Sequence, residues 1–245
     1  MSIRGKVVAA AAVLTLAGGV SAAGALAAQA ATPSCYENCI DLFSQKFGNT
    51  FAPSFVLDAL LQRAAAGTPV TLYRASNNDA AEDFLVFAQA RVSRFASLGL
   101  VSATVASHFG GTCARVSPVT GRCVRHYLND WAYEIEYAPD GVGSGLCVGT
   151  VSTAADGTKV ALERCGSSTR TTWVEDWGGQ IGNGYAPLIN GSDTSASDPY
   201  VLNYPGSAVP FQAPTPQLTT WKVQRYAGGG VFNNELWSAV FGVLQ

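Results

Sequence analysis

The chain of 245 residues contains few charged side chains and almost no histidine. Asp, Glu, Lys and Arg together make up 13% of it, and 17 acidic residues stand against 15 basic ones. Nucleic acids and anionic membranes reward basic patches, so this composition argues against both as partners. The only histidines, His108 and His126, have no Cys-x-x-Cys motif beside them. We therefore expect no metal site and no cofactor.

The only long apolar run in the sequence lies at the N-terminus. Two basic residues precede an Ala-, Val- and Leu-rich stretch at residues 7–20, and residues 28–30 offer an A-x-A cleavage site. The run is shorter than the roughly 20 apolar residues that span a bilayer. We predict a signal peptide over residues 1–30 and a single secreted, extracellular domain over residues 31–245, with no membrane span.

Signatures of catalysis are also scarce. No G-x-S-x-G nucleophile elbow occurs, because glycines flank Ser144 directly instead of two positions away. Glu134 and Glu136 alternate with aromatic residues in a predicted strand and would lie about 6.5–7 Å apart, a spacing compatible with glycoside hydrolysis. A solvated strand face explains the same alternation, and we prefer that interpretation. The sequence thus predicts a protein that is not an enzyme, with a glycoside hydrolase as the less favoured alternative.

All six cysteines follow the predicted signal peptide. An even number of cysteines in an exported chain indicates disulfides, which leaves no cysteine nucleophile. Six cysteines allow fifteen pairings. Short separations favour two local closures, Cys35–Cys39 and Cys113–Cys123.

An internal repeat organises the rest of the chain. Residues 64–74 recur as residues 154–164 at a constant offset of 90, with seven of eleven positions identical. Each copy has a Gly-Thr turn followed by alternating apolar residues, which is typical of a strand with one buried face. A short apolar stretch precedes each turn, and an aromatic strand follows it. A third, degenerate copy covers residues 200–203, 217–221 and 236–238.

These segments resemble the ricin B-type β-trefoil lectins, whose repeat runs C-L-D-V … G-T-x-V-x-L-W-x-C … Q-x-W. Residues 56–59 are similar to the first motif and residues 67–73 to the second. Residues 234–237 are similar to the last motif, with Glu in place of Gln. The resemblance covers roughly residues 55–86 and 145–245.

The resemblance implies an all-β, β-trefoil-like domain with a pseudo-threefold internal repeat and one long insertion at about residues 89–128. It also implies a disulfide between Cys147 and Cys165, because the family joins the two cysteines of a repeat. An alternative is an N-terminal helical part followed by a C-terminal β domain. Helical spacing over residues 53–66 and 84–98 supports that alternative.

In the resembled family, an Asp, an aromatic residue and an Asn or Gln converge on one shallow sugar pocket. The second copy has lost this pattern, because by the offset Val148 replaces the Asp and Glu163 the aromatic residue. Ordinary turn chemistry explains the polar residues of the first copy equally well. As a sugar site, the first copy supplies Asp58, Tyr73, Asn77, Asn78 and Glu82.

The third copy offers a weaker version of the site. Asn203 stands at the Asp position and Asn234 at the amide position, but Tyr204 or Trp221 would have to turn inward to supply the aromatic face. Bulky aromatics that close each repeat suit a pseudo-threefold core. We interpret three tryptophans as such core residues: Trp173, Trp221 and Trp237.

We therefore expect a secreted β-trefoil that binds extracellular carbohydrate through its first repeat. The alternative is a non-enzymatic interaction or inhibitor scaffold that contacts a protein partner through the insertion and a Pro-rich loop at residues 205–216. That alternative is kept because residues 187–193, together with the Gly/Ala-rich leader, also resemble secreted actinobacterial proteins without an assigned function.

Overall fold

The computed structural model describes residues 39–47, 55–74, 80–111, 113–116, 123–126, 130–176, 185–195, 197–206, 216–227 and 229–241. The helices in these segments are α1 (Val92–Ser97) and α2 (Ala103–Phe109). The strands are β1 (Ile40–Ser44), β2 (Phe55–Ala59), β3 (Val70–Arg74), β4 (Phe84–Arg91), β5 (Cys113–Val116), β6 (Cys123–His126), β7 (Trp131–Tyr137), β8 (Leu146–Thr150), β9 (Val160–Arg164), β10 (Thr172–Glu175), β11 (Leu188–Asn190), β12 (Tyr200–Asn203), β13 (Thr219–Lys222) and β14 (Trp237–Phe241).

Six of the strands form a closed antiparallel barrel. β4 pairs with β1 and β7, β10 pairs with β7 and β11, and β14 pairs with β1. Ala186, just before β11, and Trp237 of β14 exchange two backbone hydrogen bonds of 2.9 and 3.0 Å, which join the remaining edges. This closure pairs the backbone N–H and C=O groups of the edge strands, which would otherwise be free to pair with other chains.

Three hairpins, β2–β3, β8–β9 and β12–β13, cap one end of the barrel. Their return strands are linked in a ring by backbone hydrogen bonds. The amide of Val160 donates to the carbonyl of Leu218 and the amide of Leu218 donates to the carbonyl of Val70, both at 2.9 Å, while the amide of Leu162 in β9 donates to the carbonyl of Thr68, just before β3, at 2.8 Å. The side chains of Val70, Val160 and Leu218 are fully buried. A six-stranded barrel capped by three equivalent hairpins is a β-trefoil. The predicted all-β fold with a pseudo-threefold repeat is confirmed.

Aromatic side chains close the repeats at equivalent places in the core. Trp173 and Trp237 are buried and donate their indole N–H groups to the carbonyls of Val148 and Leu202, both at 2.9 Å. Phe84 occupies the corresponding position in the first repeat and needs no such acceptor. A buried indole N–H requires an acceptor, and the adjacent hairpin strand supplies one in each case.

The alternative with an N-terminal helical part is wrong for most of the residues that it covers. β2 and β4 are strands in segments whose apolar spacing also fits a helix. β4 pairs along its length with β7, and this long-range pairing overrides the local preference. Among the described residues, α-helical structure begins only at Val92, where α1 follows β4.

A long insertion between β4 and β7 is confirmed, and it carries α1, α2 and the β5–β6 hairpin. Val92, Phe95 and Val105 of its helices pack in a second hydrophobic cluster with Val174 and Ile189 of the barrel strands. The insertion therefore covers the outer side of part of the barrel.

The disulfide predicted from the resemblance is confirmed, since Cys147 and Cys165 are bonded across the β8–β9 hairpin. Cys39 is also disulfide-bonded, but Cys35 lies outside the described residues. The side chains of Cys113 and Cys123 are likewise not described, so their pairing stays a prediction.

The described segments also contain no helix that is long and apolar enough to cross a membrane. The same segments hold no group of three or more His, Cys, Asp or Glu residues arranged to bind a metal ion.

Candidate functional site

A cavity of about 300 Å³ opens beside the third hairpin, and its volume suits a small ligand. It is formed by the end of β12, by β13 and by two short 3-10 turns, Gln45–Phe47 and Asn233–Glu235. We call it the third-repeat cavity. Its lining residues are Lys46, Asn203, Tyr204, Pro205, Gly206, Trp221, Gln224 and Asn234.

Two asparagines are bonded to each other at the wall of this cavity. Asn203 ends β12 and donates from Nδ2 to Thr219 Oγ1 at 3.3 Å. Asn234 donates from Nδ2 to Asn203 Oδ1 at 2.5 Å, and its carbonyl accepts the Tyr204 amide at 3.0 Å. Both amides are therefore fixed in place. They keep further hydrogen-bonding capacity, because a carboxamide offers two N–H donors and two acceptor lone pairs.

Trp221 supplies an exposed aromatic face at the rim of the cavity. It pairs with Val201 as Tyr73 pairs with Val56 in the first repeat, so the two aromatic residues occupy equivalent positions. Trp221 is 38% exposed and Tyr73 is 43% exposed. The interpretation of Trp221 as a core residue is wrong. The alternation of β13 buries Thr220 instead and turns Trp221 outward.

Tyr204 lies under the cavity and belongs to the main hydrophobic core. A Cβ atom on Gly206 would lie 2.6 Å from Cζ of Tyr204, so the chain after β12 passes directly against this ring. Burial raises the pKa of the Tyr204 phenol, which keeps it neutral. Both aromatic residues considered for the third copy thus reach the cavity.

Glu235 is buried next to Asn234 and stands where the resembled family has Gln. Its Oε2 accepts the backbone N–H of Gln224 at 2.8 Å, which holds a lining segment in place. Burial raises the pKa of Glu235 to about 7, although the Gln224 amide and the charge of Arg225 both lower it. Near neutral pH, a substantial fraction of this carboxyl group is therefore protonated.

The first repeat has an equivalent polar pair. Asp58 lies opposite Thr71, whose hydroxyl donates to Asp58 Oδ1 at 3.2 Å. Asp58 is only 7% exposed, and Glu82 is also buried. Because Tyr73 is exposed, the aromatic part of the predicted site is in place. Two further residues of this predicted site lie outside the described residues: Asn77 and Asn78.

In the second repeat, small residues replace the polar pair. Gly149 and Ala161 face each other where the first repeat has Asp58 and its partner. The copies are offset by 90 residues in β3 and β9 but by 91 in β2 and β8, so Gly149 takes the Asp position while Val148 lies in the core. A Cβ atom on Gly149 would lie 3.1 Å from the carbonyl oxygen of Arg170, which leaves little room for a longer side chain.

The two carboxylates considered for hydrolysis are buried, so the expected solvated strand face is wrong. Glu134 Oε1 accepts the hydroxyl of Thr171 at 2.5 Å and the amide of Gly166 at 2.9 Å. Glu136 Oε1 accepts the amide of Gly145 at 2.6 Å. These bonds fix the turns on either side of the β8–β9 hairpin. They give both carboxylates a structural role.

Sequence reasoning did not identify two residues of the cavity, Lys46 and Gln224. Lys46 reaches it because the amide of Gln45 donates to the carbonyl of Leu236 at 3.0 Å, which places the turn after β1 beside the turn before β14. Only barrel closure brings these distant segments together, and no local pattern reports it. Gln224 lies beyond the repeat motifs used above.

No protein-family model and no curated protein matches the chain. Among solved structures, it is similar to the designed threefold-symmetric protein ThreeFoil, at 13% identity and a TM-score of 0.47, over 82% of this chain and 96% of that one. It is also similar to the exo-β-1,3-galactanase 1,3Gal43A from Clostridium thermocellum, at 13% identity and a TM-score of 0.49, over 83% of this chain but 30% of that one. The BEL β-trefoil matches at 15% identity and a TM-score of 0.40, over 83% and 92%. The fold assignment rests on the strand pairings above, and these likenesses add nothing about function.

Proposed function

We propose that the protein binds carbohydrate through the third-repeat cavity. The observation that carries this proposal is the presence of two fixed amides, Asn203 and Asn234, beside the exposed face of Trp221. A sugar ring presents hydroxyl groups that bond to amides and an apolar C–H face that packs on an aromatic ring. Fixed groups bind more tightly because less side-chain freedom is lost on binding.

The proposal moves the main site from the first repeat to the third. The first repeat has an exposed aromatic residue, Tyr73, and a buried carboxylate, Asp58, but the two amides predicted to complete its site, Asn77 and Asn78, lie outside the described residues. A second binding site in the first repeat stays a prediction. The Cys147–Cys165 disulfide supports an extracellular setting, because such bonds persist in oxidising compartments.

A glycan array and calorimetry on the oxidised protein test the proposal with two site variants and one matched control. We expect Trp221→Ala to weaken binding at least tenfold, since it removes the stacking face, and Asn203→Ala to weaken it to a similar extent. Tyr73→Ala is the control, because it removes the equivalent aromatic residue of the first repeat. We expect that variant to bind almost as well as the wild type.

Loss of binding in Tyr73→Ala but not in Trp221→Ala would return the site to the first repeat. A folded wild-type protein that binds no glycan would overturn carbohydrate binding altogether. The fold would then serve as a scaffold, and the insertion between β4 and β7 would be the surface to test for a protein partner.

A further inference from the structure

The third-repeat cavity has an unusual balance of charge for a sugar site. Of its lining residues, only Lys46 carries a formal charge; the others are amides, aromatic residues, a proline and a glycine. Lys46 is exposed. Its backbone is held in place, because its amide donates to Ser44 Oγ at 3.3 Å and the preceding residue is bonded to Leu236.

The position that would repel an anion carries an amide instead. Asn203 occupies the place that Asp58 occupies in the first repeat, since each lies opposite a threonine of the returning strand. A carboxylate in this place, such as Asp58 provides in the first repeat, would disfavour a negatively charged ligand in the cavity, whereas the Asn203 amide does not. The buried carboxyl group of Glu235, which follows Asn234 in the chain, is partly neutral and interacts with the charge of Arg225.

We infer that the third-repeat cavity selects acidic sugars, with the ammonium group of Lys46 binding a sugar carboxylate. Trp221 then stacks on the ring, and the two asparagines bind its hydroxyl groups. The inference rests on the proposed carbohydrate binding and specifies the class of glycan. A charge-assisted bond between an ammonium and a carboxylate is about twice as strong as a neutral one, so it decides between an acidic sugar and its neutral counterpart.

The test compares acidic and neutral probes on the oxidised protein. The acidic probes are polygalacturonate and sialyllactose, and their neutral counterparts are galactan and lactose. We expect the wild type to bind at least one acidic probe about tenfold more tightly than its counterpart. Lys46→Gln should abolish that preference. Lys159→Gln is the control, because it removes an exposed lysine that does not line the cavity.

A second variant tests the same inference from the opposite side. Asn203→Asp restores the carboxylate of the first repeat while keeping an acceptor for the Asn234 amide. We expect it to weaken binding of the acidic probe and to leave binding of the neutral probe within a few-fold of the wild type. Raising the salt concentration from 50 to 500 mM should likewise weaken only the acidic probe.

The outcomes separate this inference from the proposal beneath it. Binding of neutral probes with no acidic preference overturns the inference and leaves carbohydrate binding intact. An acidic preference that survives Lys46→Gln also overturns it. Binding of no probe by the folded protein overturns carbohydrate binding itself.

Discussion

Glu235 shows how one substitution within a motif changes the physical demands of a site. Its side chain is fully buried, and Oε1 has no hydrogen-bond partner among the described residues. Burying an ionised carboxylate with a single main-chain donor is costly, which is why burial raises the pKa of Glu235 to about 7. Gln at this position would fit the same space without a charge.

Glu235→Gln should therefore stabilise the protein at high pH. The folded state holds the proton more tightly than the unfolded state, whose pKa is near 4.5, so wild-type stability falls as the pH rises from about 4.5 through 7. We expect the variant to gain about 1–2 kcal/mol at pH 8, with the gain shrinking towards pH 4.5. Chemical denaturation at pH 8 and pH 5 measures it. An equal effect at both pH values would contradict a titrating Glu235.

At the scale of secondary-structure elements, the insertion is anchored to the barrel through the start of α2. Ser102 caps α2 by accepting the Val105 amide at 3.0 Å, and its hydroxyl also donates to the carbonyl of Asp193. The Ser102 amide donates to the carbonyl of Gly191 at 2.7 Å. One residue thus starts the helix and fixes it to the loop that follows β11.

Ser102→Ala should loosen the insertion without unfolding the barrel. It removes the cap and one tether, so we expect a loss of about 1–2 kcal/mol in the stability of the helices. Hydrogen exchange should then speed up in α1 and α2 and stay unchanged in β7 and β10. Ser97→Ala is the control, since that exposed hydroxyl bonds to Arg94 within α1. Equal deprotection of the barrel strands would show that the insertion is part of one cooperative unit.

The strands next to the Gly-Thr turns were predictable, because few structures other than a strand fit a turn followed by alternating apolar residues. β4 was ambiguous, since its apolar residues also fit a helix and only pairing with β7 decides. The sequence also did not reveal that β2 and β8 are offset by 91 residues instead of 90. Those strands share no identity by which to align Gly149 with Asp58.

At the scale of the whole molecule, the three repeats depend on one another. The backbone ring through Val70, Val160 and Leu218 joins all three hairpins, and no hairpin buries its apolar face alone. The sequence predicted the threefold plan from two good copies and one weak one. It placed the best site in the first copy, because motif identity is strongest there, whereas the third-repeat cavity depends on packing from distant segments such as the turn around Lys46.

The Cys147–Cys165 disulfide should stabilise the whole domain although it lies within one repeat. It closes a loop with a sequence separation of 18, so the double variant Cys147→Ala/Cys165→Ala should lose about 3 kcal/mol of unfolding free energy. Chemical denaturation under oxidising conditions measures the loss. The double variant Cys113→Ala/Cys123→Ala serves as a comparison, and we expect a smaller effect because those residues lie in the insertion. A larger loss in the comparison would assign the main stabilising bond to the insertion.

The pairing of β1 with β14 has a consequence for engineering. Ile40 and Phe241 face each other at the end of the barrel opposite the hairpins, so the first and last strands begin and end side by side. A short linker can join them, and new termini can be opened in an exposed turn such as residues 151–153. Such a circular permutant would keep every strand pair of the barrel.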